Sequence, residues 1–281
     1  MVKIFYPLRR ESPALSRIRW GLLKYAPPEV ELTFSPEKAE LQILDWTGDI
    51  VKPACSKYVL LVHNPPIHQN QEFLREVFQK AELCITYTKY YTFRNEYCPS
   101  PLELEKFRWL VTPWGVDLDT FYINSLIRER PYLIMCTGTV AETELHREIY
   151  EAVRRVGGKM VHVGSDVGIK GEGYTLISMW IPDYEMNLLY NMSRYVSAIR
   201  KPWGFELPGI EGLACGCTPI WLNHPIHREW FEGYGLFIDP NRVTEELIEI
   251  FKSEKKVNVS REKLEKFNWK NIAERIWREI L

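Results

Sequence analysis

Residues 201–216 read Lys-Pro-Trp-Gly-Phe-Glu-Leu-Pro-Gly-Ile-Glu-Gly-Leu-Ala-Cys-Gly. Pro208 can open a helix there, because the first helical position has no use for the N–H that proline lacks. Gly216 can close it, since glycine accepts the left-handed dihedrals of a C-terminal cap. An apolar run precedes the segment (195–199) and another follows it (218–222). The order is strand, glycine-containing loop, short helix, strand. Free loop amides and the positive end of the helix then form an anion site, typically for a phosphate. Gly204 and Gly209 supply backbone freedom, and the amides of Phe205, Glu206 and Leu207 are candidates to face a diphosphate. Glu211 falls in the first turn, where it either complements the helix dipole or accepts hydrogen bonds from ligand hydroxyls.

Two further places could do chemistry. His63 ends the apolar run 58–62, just before Asn64-Pro65-Pro66, and a histidine at a strand's carboxyl end is placed to hydrogen-bond a ligand hydroxyl. Arg9 and Arg10, in the loop after the first strand, are suited to an acceptor or a phosphate, or to solvent. His68 is incidental.

These residues need a scaffold of strand ends. Short apolar runs at 2–6, 30–34, 41–44, 58–63, 83–87 and 109–112 alternate with helical patterns at 12–25 and 71–79. The second half repeats the alternation: strands at 132–137, 160–163, 174–177, 196–199, 218–222 and 235–238, and helices at 142–155, 185–191, 208–215 and 245–252. That pattern predicts βα units and mainly parallel sheets. The polar stretch 123–131 reads as a linker. The predicted organisation is a first Rossmann-like domain over 1–124, a second over 125–260, and a C-terminal helix over 261–281 packing back on them. In such sheets ligands bind at the carboxyl ends of strands, near the point where strand order reverses.

Composition narrows the function classes. With 281 residues, 46% hydrophobic, 26% charged and a net charge of −1, the chain has the make-up of a globular protein. It has no global field for nucleic acid and no basic run with interleaved aromatics. No apolar stretch approaches the ~20 residues of a membrane span. The N-terminus enters a strand directly, without a cleavable signal. Cys84 and Cys136 sit in apolar runs, as buried thiols do in a reducing compartment; the expected location is cytoplasmic. Residues 264, 267, 272, 276, 277 and 280 are apolar at helical spacing; the packing reading is preferred over weak peripheral membrane contact.

Four ordered motifs resemble one family. Gly204, Phe205, Leu207, Pro208, Glu211, Ala214, Cys215, Gly216 and Pro219 match in register the signature of retaining GT-B glycosyltransferases of family 4 (glycosyltransferase group 1). Val111-Thr112-Pro113-Trp114-Gly115-Val116-Asp117, Leu188–Ser193 in numbers 188–193, and Phe267-Asn268-Trp269 are similar to three further segments of that family. The resemblance implies an α/β, GT-B fold whose two Rossmann-like domains face an interdomain cleft. It implies transfer of a sugar, with retention, from a nucleoside diphosphate sugar to a sugar, glycan, lipid or protein acceptor. No cofactor beyond the nucleotide sugar and no metal is implied, nor any nucleic-acid partner. The second domain would hold the donor and the first the acceptor.

By this resemblance Glu211 takes the ribose, and Trp203 stands where the family has a sugar-side glutamate. Glu206 is then the substitute carboxylate and, with His63 beside the sugar, the candidate catalytic side chain. The donor diphosphate would meet Gly138 and Thr139, with Thr139 in the place of the family's arginine. Its growing charge needs compensation, for which Lys201 and Arg147 rank ahead of Arg200. Trp180-Ile181 fall where the family contacts the nucleobase; Trp180 or Tyr184 could stack on it, although a core position is the safer reading for either. Cys215, Cys217, His224 and His227 are zinc-ligand types, but the signature already accounts for Cys215. The alternatives are a related epimerase or phosphorylase, and a catalytically weakened nucleotide-sugar-binding protein.

Overall fold

The apolar runs become strands of two parallel sheets. A computed structural model describes residues 1–7, 13–48, 52–138, 141–201 and 204–281. The chain divides into two compact units, Met1–Gly115 with Trp269–Leu281, and Val116–Asn268.

The first unit carries β1 (Val2–Phe5), β2 (Val30–Thr33), β3 (Leu41–Trp46), β4 (Tyr58–Val62), β5 (Leu83–Thr86) and β6 (Trp109–Val111), in the order β2-β1-β3-β4-β5-β6. Neighbouring strands pair parallel throughout. All five residues of β4 are buried, which is why its sequence is continuously apolar rather than alternating. Helix Gln71–Gln79 is capped by Asn70, whose side chain accepts the Phe73 amide at 2.9 Å; it buries Phe73, Leu74, Val77 and Phe78.

The second unit carries β7 (Tyr132–Gly138), β8 (Met160–Gly164), β9 (Tyr174–Ile177), β10 (Ser193–Ala198), β11 (Thr218–Leu222) and β12 (Leu236–Ile238), in the order β12-β11-β10-β7-β8-β9. These pairs are parallel too. On one face Ile134, Cys136, Ile149, Val153, Tyr195, Ile220, Leu247 and Phe251 form a core. Helix Leu207–Ala214 lies close against β10 and β11: a Cβ at Gly209 would collide with the Trp221 ring. Strand order reverses between β1 and β3 in the first sheet and between β7 and β10 in the second. Those are the places where a doubly wound sheet opens a binding crevice.

Three differences from the sequence reading have local causes. The stretch predicted as a linker belongs to the second unit. Asn187 donates to the carbonyls of Thr120 (2.9 Å) and Tyr122 (3.2 Å), the Asn124 amide donates to Asn191 Oδ1 (2.8 Å), and Arg130 donates to Cys215 O (2.9 Å). A polar sequence is satisfied here by side chains from distant helices. The predicted helix 142–155 is broken into Ala141–Glu144 and His146–Arg155 by Leu145, whose φ is 51°. Residues two apart on one helix point to different sides; the break lets both Glu144 and His146 be buried. The C-terminal stretch is also not one helix. Arg261–Leu264 and a turn at Glu265–Phe267 stay with the second unit, while Trp269–Ile280 packs on the first. There Trp277 donates its indole N–H to Leu22 O at 2.9 Å, and Trp269 fills the space beside Gly21 and Gly115. The apolar side of this helix is thus buried in protein, as its packing reading requires. Among the described residues no helix is long and apolar enough to cross a membrane.

Candidate functional site

The reversal point of the second sheet brings together Gly138, at the end of β7, and the loop after β10 that carries Gly204 and Glu206. Gly138 ends β7 with φ +129°, and a side chain at this position would collide with the Glu144 carboxylate. Only glycine therefore lets the short helix Ala141–Glu144 bring its last acid over the strand end. Behind this strand end two buried histidines pack with ring centroids 4.2 Å apart, His146 and His162. His162 Nε2 lies 3.0 Å from Gly138 O and Nδ1 lies 2.9 Å from the Tyr174 hydroxyl. A carbonyl can only accept, so Nε2 carries the proton and Nδ1 accepts from the tyrosine. Burial, then the neighbouring His162, holds His146 down to about 4; burial likewise lowers His162. Both are neutral structural supports near pH 7.

From the end of β10 comes Arg200. Its guanidinium lies 3.5 Å from Glu144 Oε1 and 3.8 Å from Glu206 Oε1, with the side chain 44% exposed. Glu206 precedes helix Leu207–Ala214 in a left-handed conformation, φ 51° and ψ 70°. A Cβ at Gly204 would collide with its carboxylate, which folds back over that residue. Burial pushes the Glu206 carboxyl up to about 7; Arg200 opposes the rise and Glu144 adds to it. A carboxyl poised there both gives and takes a proton at neutral pH.

The remaining signature residues divide between site and core. Lys201 is turned away from the loop, its Nζ donating to Pro240 O at 3.0 Å and its amide to Thr143 O at 2.7 Å. Arg147 is exposed beside Gly168. The structure thus puts Arg200 rather than Lys201 or Arg147 between the carboxylates. Phe205 and Leu207 are buried; Phe205 packs on Phe231 with centroids 5.0 Å apart, so it anchors the loop through its ring. Glu211 is 2% exposed, and the Tyr190 hydroxyl donates to its Oε2 at 2.9 Å. Ile181 is buried, but Trp180 is 74% exposed and Tyr184 65%. A core position for these two aromatics does not hold: Pro182 starts helix Asp183–Asn191 and leaves both rings outside the apolar layer. Cys217 donates to Tyr190 O, His224 caps the Ile226 amide and His227 meets Leu222 O. Thr139, Trp203, Arg9 and Arg10 lie outside the described residues.

The first unit holds a second constellation at its own reversal point. His63, directly after β4, has Nε2 2.8 Å from Asp45 Oδ1. The carboxylate accepts, so Nε2 is the protonated nitrogen. Tyr6, after β1, donates its hydroxyl to the same oxygen at 3.1 Å, and Arg19 lies 3.5 Å from Oδ2. The Arg19 guanidinium also covers the Tyr6 ring, and Trp114 flanks His63 with centroids 5.3 Å apart. The sequence reading names His63 but not Asp45, Tyr6 or Arg19, which the structure sets around it. The signal was present: an acid inside the apolar run of β3 needs partners to be tolerated there. Glu144 had a weaker signal, since it reads alone as a surface charge, and Arg200 ranks behind Lys201 and Arg147 in the sequence reading.

No protein-family model and no curated protein sequence matches the chain. Solved structures do match. The Anabaena protein Alr3699/HepE, solved with UDP and glucose, is similar over 100% of this chain and 98% of its own, at 12% identity and a TM-score of 0.66. AviGT4, a glycosyltransferase involved in avilamycin A biosynthesis, matches over 99% of this chain and 96% of its own, at 13% identity and TM-score 0.65. A sucrose-phosphate synthase from Thermosynechococcus elongatus matches over 86% and 74%, at 14% identity and TM-score 0.66. At such identities the likeness is one of fold: two Rossmann-like units in succession, as in GT-B glycosyltransferases.

Proposed function

We propose that this protein is a glycosyltransferase that moves a sugar from a nucleoside diphosphate sugar to an acceptor, with retention of configuration and without a metal ion. The observation that carries the reading is the arrangement at the β7–β10 reversal point. There a glycine-containing loop enters helix Leu207–Ala214, which carries Glu211 as its fifth residue, past the first turn where the sequence reading places it, and Arg200 stands beside Glu206 at the helix start, in a fold shared with glycosyltransferases. The second unit binds the donor. Helix-end amides and Arg200 stabilise the charge that grows on the diphosphate as the sugar leaves. Glu211, held by Tyr190, accepts from the ribose hydroxyls. Exposed Trp180 stacks on the base, and uridine is the first base to test, since one similar protein was solved with UDP. Glu206 serves as the carboxylate beside the sugar in place of the acid that Trp203 replaces. The first unit binds the acceptor, with His63 oriented by Asp45 and with Arg9 and Arg10 in the loop after β1. The leaving phosphate itself takes the acceptor proton on the front face of the sugar. The protein works in the cytoplasm, where its six cysteines stay reduced.

A thermal-shift screen of nucleotides and nucleotide sugars tests the donor reading, because a ligand bound only by the folded state raises stability. A rise with one nucleoside diphosphate and its sugar conjugates supports it. No rise with any base would remove the donor site. Addition of a chelator leaves turnover unchanged if the chemistry needs no metal. Binding without transfer or hydrolysis would favour a nucleotide-sugar-binding protein instead.

A further inference from the structure

The cation at the donor site is already engaged. Arg200 stands between Glu144 and Glu206, 3.5 and 3.8 Å from their oxygens. Both acids are held in place: Glu144 over Gly138 at the end of β7, and Glu206 folded back over Gly204 by its left-handed backbone. One guanidinium therefore serves two carboxylates at the place where a diphosphate would enter. Lys201 is occupied by the Pro240 carbonyl, and Arg147 lies beside Gly168 instead. A doubly charged ligand cannot be accommodated next to two ionised acids without moving charge.

We propose that, on donor binding, Arg200 passes from the two carboxylates to the diphosphate and that Glu206 takes up a proton from solvent. The inference rests on the donor reading above. Two changes drive the proton onto Glu206: its cation leaves and anions arrive, and each favours the neutral acid. Burial and Glu144 already raise its proton affinity, to about 7. Once protonated, Glu206 turns from an acceptor into an O–H donor suited to a phosphate oxygen. The groups that face it are few among the described residues. Arg200 comes from the loop after β10 and Glu144 from helix Ala141–Glu144, while Lys201 of the same loop is turned to the Pro240 carbonyl. Beyond Glu144 lies His146, Nδ1 3.9 Å from Glu144 Oε2. From helix Pro225–Phe231, His227 faces the Gly204 carbonyl. Both histidines are neutral at pH 7, held down to about 4, so neither supplies the proton or the charge.

The test is calorimetric titration of the full chain with UDP-glucose, whose phosphates do not titrate near neutrality. Runs in two buffers of different ionisation enthalpy read the protons taken up per ligand. With Glu206 about half protonated before binding at pH 7, the expected uptake is about half a proton there and approaches one at pH 8. Affinity then falls about fivefold between pH 7 and pH 8. Glu206→Gln abolishes the uptake and flattens the pH dependence. The wild-type titrations decide the matter even if that variant does not fold. Binding without buffer dependence, or uptake that persists in Glu206→Gln, overturns proton coupling and leaves the donor reading intact. No binding of UDP-, GDP-, ADP- or dTDP-glucose overturns the donor reading, and the inference with it.

Discussion

Replacing Glu206 by Gln should stabilise the protein increasingly as pH rises from about 4.5 to 7, and little in acid. Glu206 is a carboxyl whose side chain is 12% exposed and which the fold holds at about 7 rather than the ordinary 4.5. Its folded pKa is raised, so the folded state holds the proton more tightly than the unfolded chain. Below pH 4.5 both states are protonated and the site has no cost. As pH rises toward 7, the unfolded chain ionises freely while the folded one resists, and stability is lost. Above pH 7 the loss is complete, and the difference between about 7 and 4.5 corresponds to about 3 kcal/mol. The amide has the same shape and no charge, so it escapes this loss while keeping the packing over Gly204. Urea unfolding of wild type and Glu206→Gln should therefore differ by less than about 1 kcal/mol at pH 5 and by about 3 kcal/mol at pH 8, with the variant more stable. Other acids titrate alike in both proteins and cancel. A difference that is equal at both pH values, or a variant less stable at pH 8, would refute the assignment of a strained, desolvated acid at this position.

Three further outcomes test the remaining parts of the site. Glu211→Ala should weaken nucleotide binding by about 1–3 kcal/mol, since it leaves the buried Tyr190 hydroxyl and the ligand's own hydroxyls short of an acceptor; unchanged affinity by calorimetry would place Glu211 outside the site. Trp180→Ala should leave the unfolding transition where it is, the ring being exposed. It should nonetheless cost about 1–3 kcal/mol in nucleotide affinity through lost stacking on the base, and equal affinity for the two proteins would end its role. Asp45→Ala releases His63 from a 2.8 Å bond and should lower kcat at least about tenfold with little change in donor affinity. Full activity would mean that the histidine needs no orientation.

How far the sequence could be read depended on how local each cause was. The strands announced themselves, because a buried parallel strand must be continuously apolar, as β4 and β11 are. The loop at 204–216 was legible for the same kind of reason. Proline at 208 and glycine at 216 act on their own backbone, and the helix runs Leu207–Ala214 with Gly216 at φ +80°. What stayed hidden was decided by partners far along the chain. Nothing in residues 116–131 tells that Asn187, Asn191 and the Cys215 carbonyl tie them to the second unit. The break at Leu145 sets Glu144 over Gly138 and His146 against His162. Arg200 and Glu144, 56 positions apart, make one ion pair, so the sequence reading ranks Arg200 behind Lys201 and Arg147 and does not single out Glu144. Asp45 was the exception: a lone acid in an apolar strand was a readable sign that polar partners awaited it.

On the proposed reading the second unit presents a nucleotide sugar for transfer. NMR of the chain with carbon-13-labelled UDP-glucose, and then with the other nucleoside diphosphate glucoses, tests it without knowledge of the acceptor. Retaining enzymes hydrolyse their donor slowly when only water is present, so the account predicts release of the nucleoside diphosphate with the α-anomer as the first sugar product. It also predicts that the rate falls in Glu206→Gln. First appearance of the β-anomer would contradict retention. A panel of donors that is neither bound nor consumed would contradict the account as a whole.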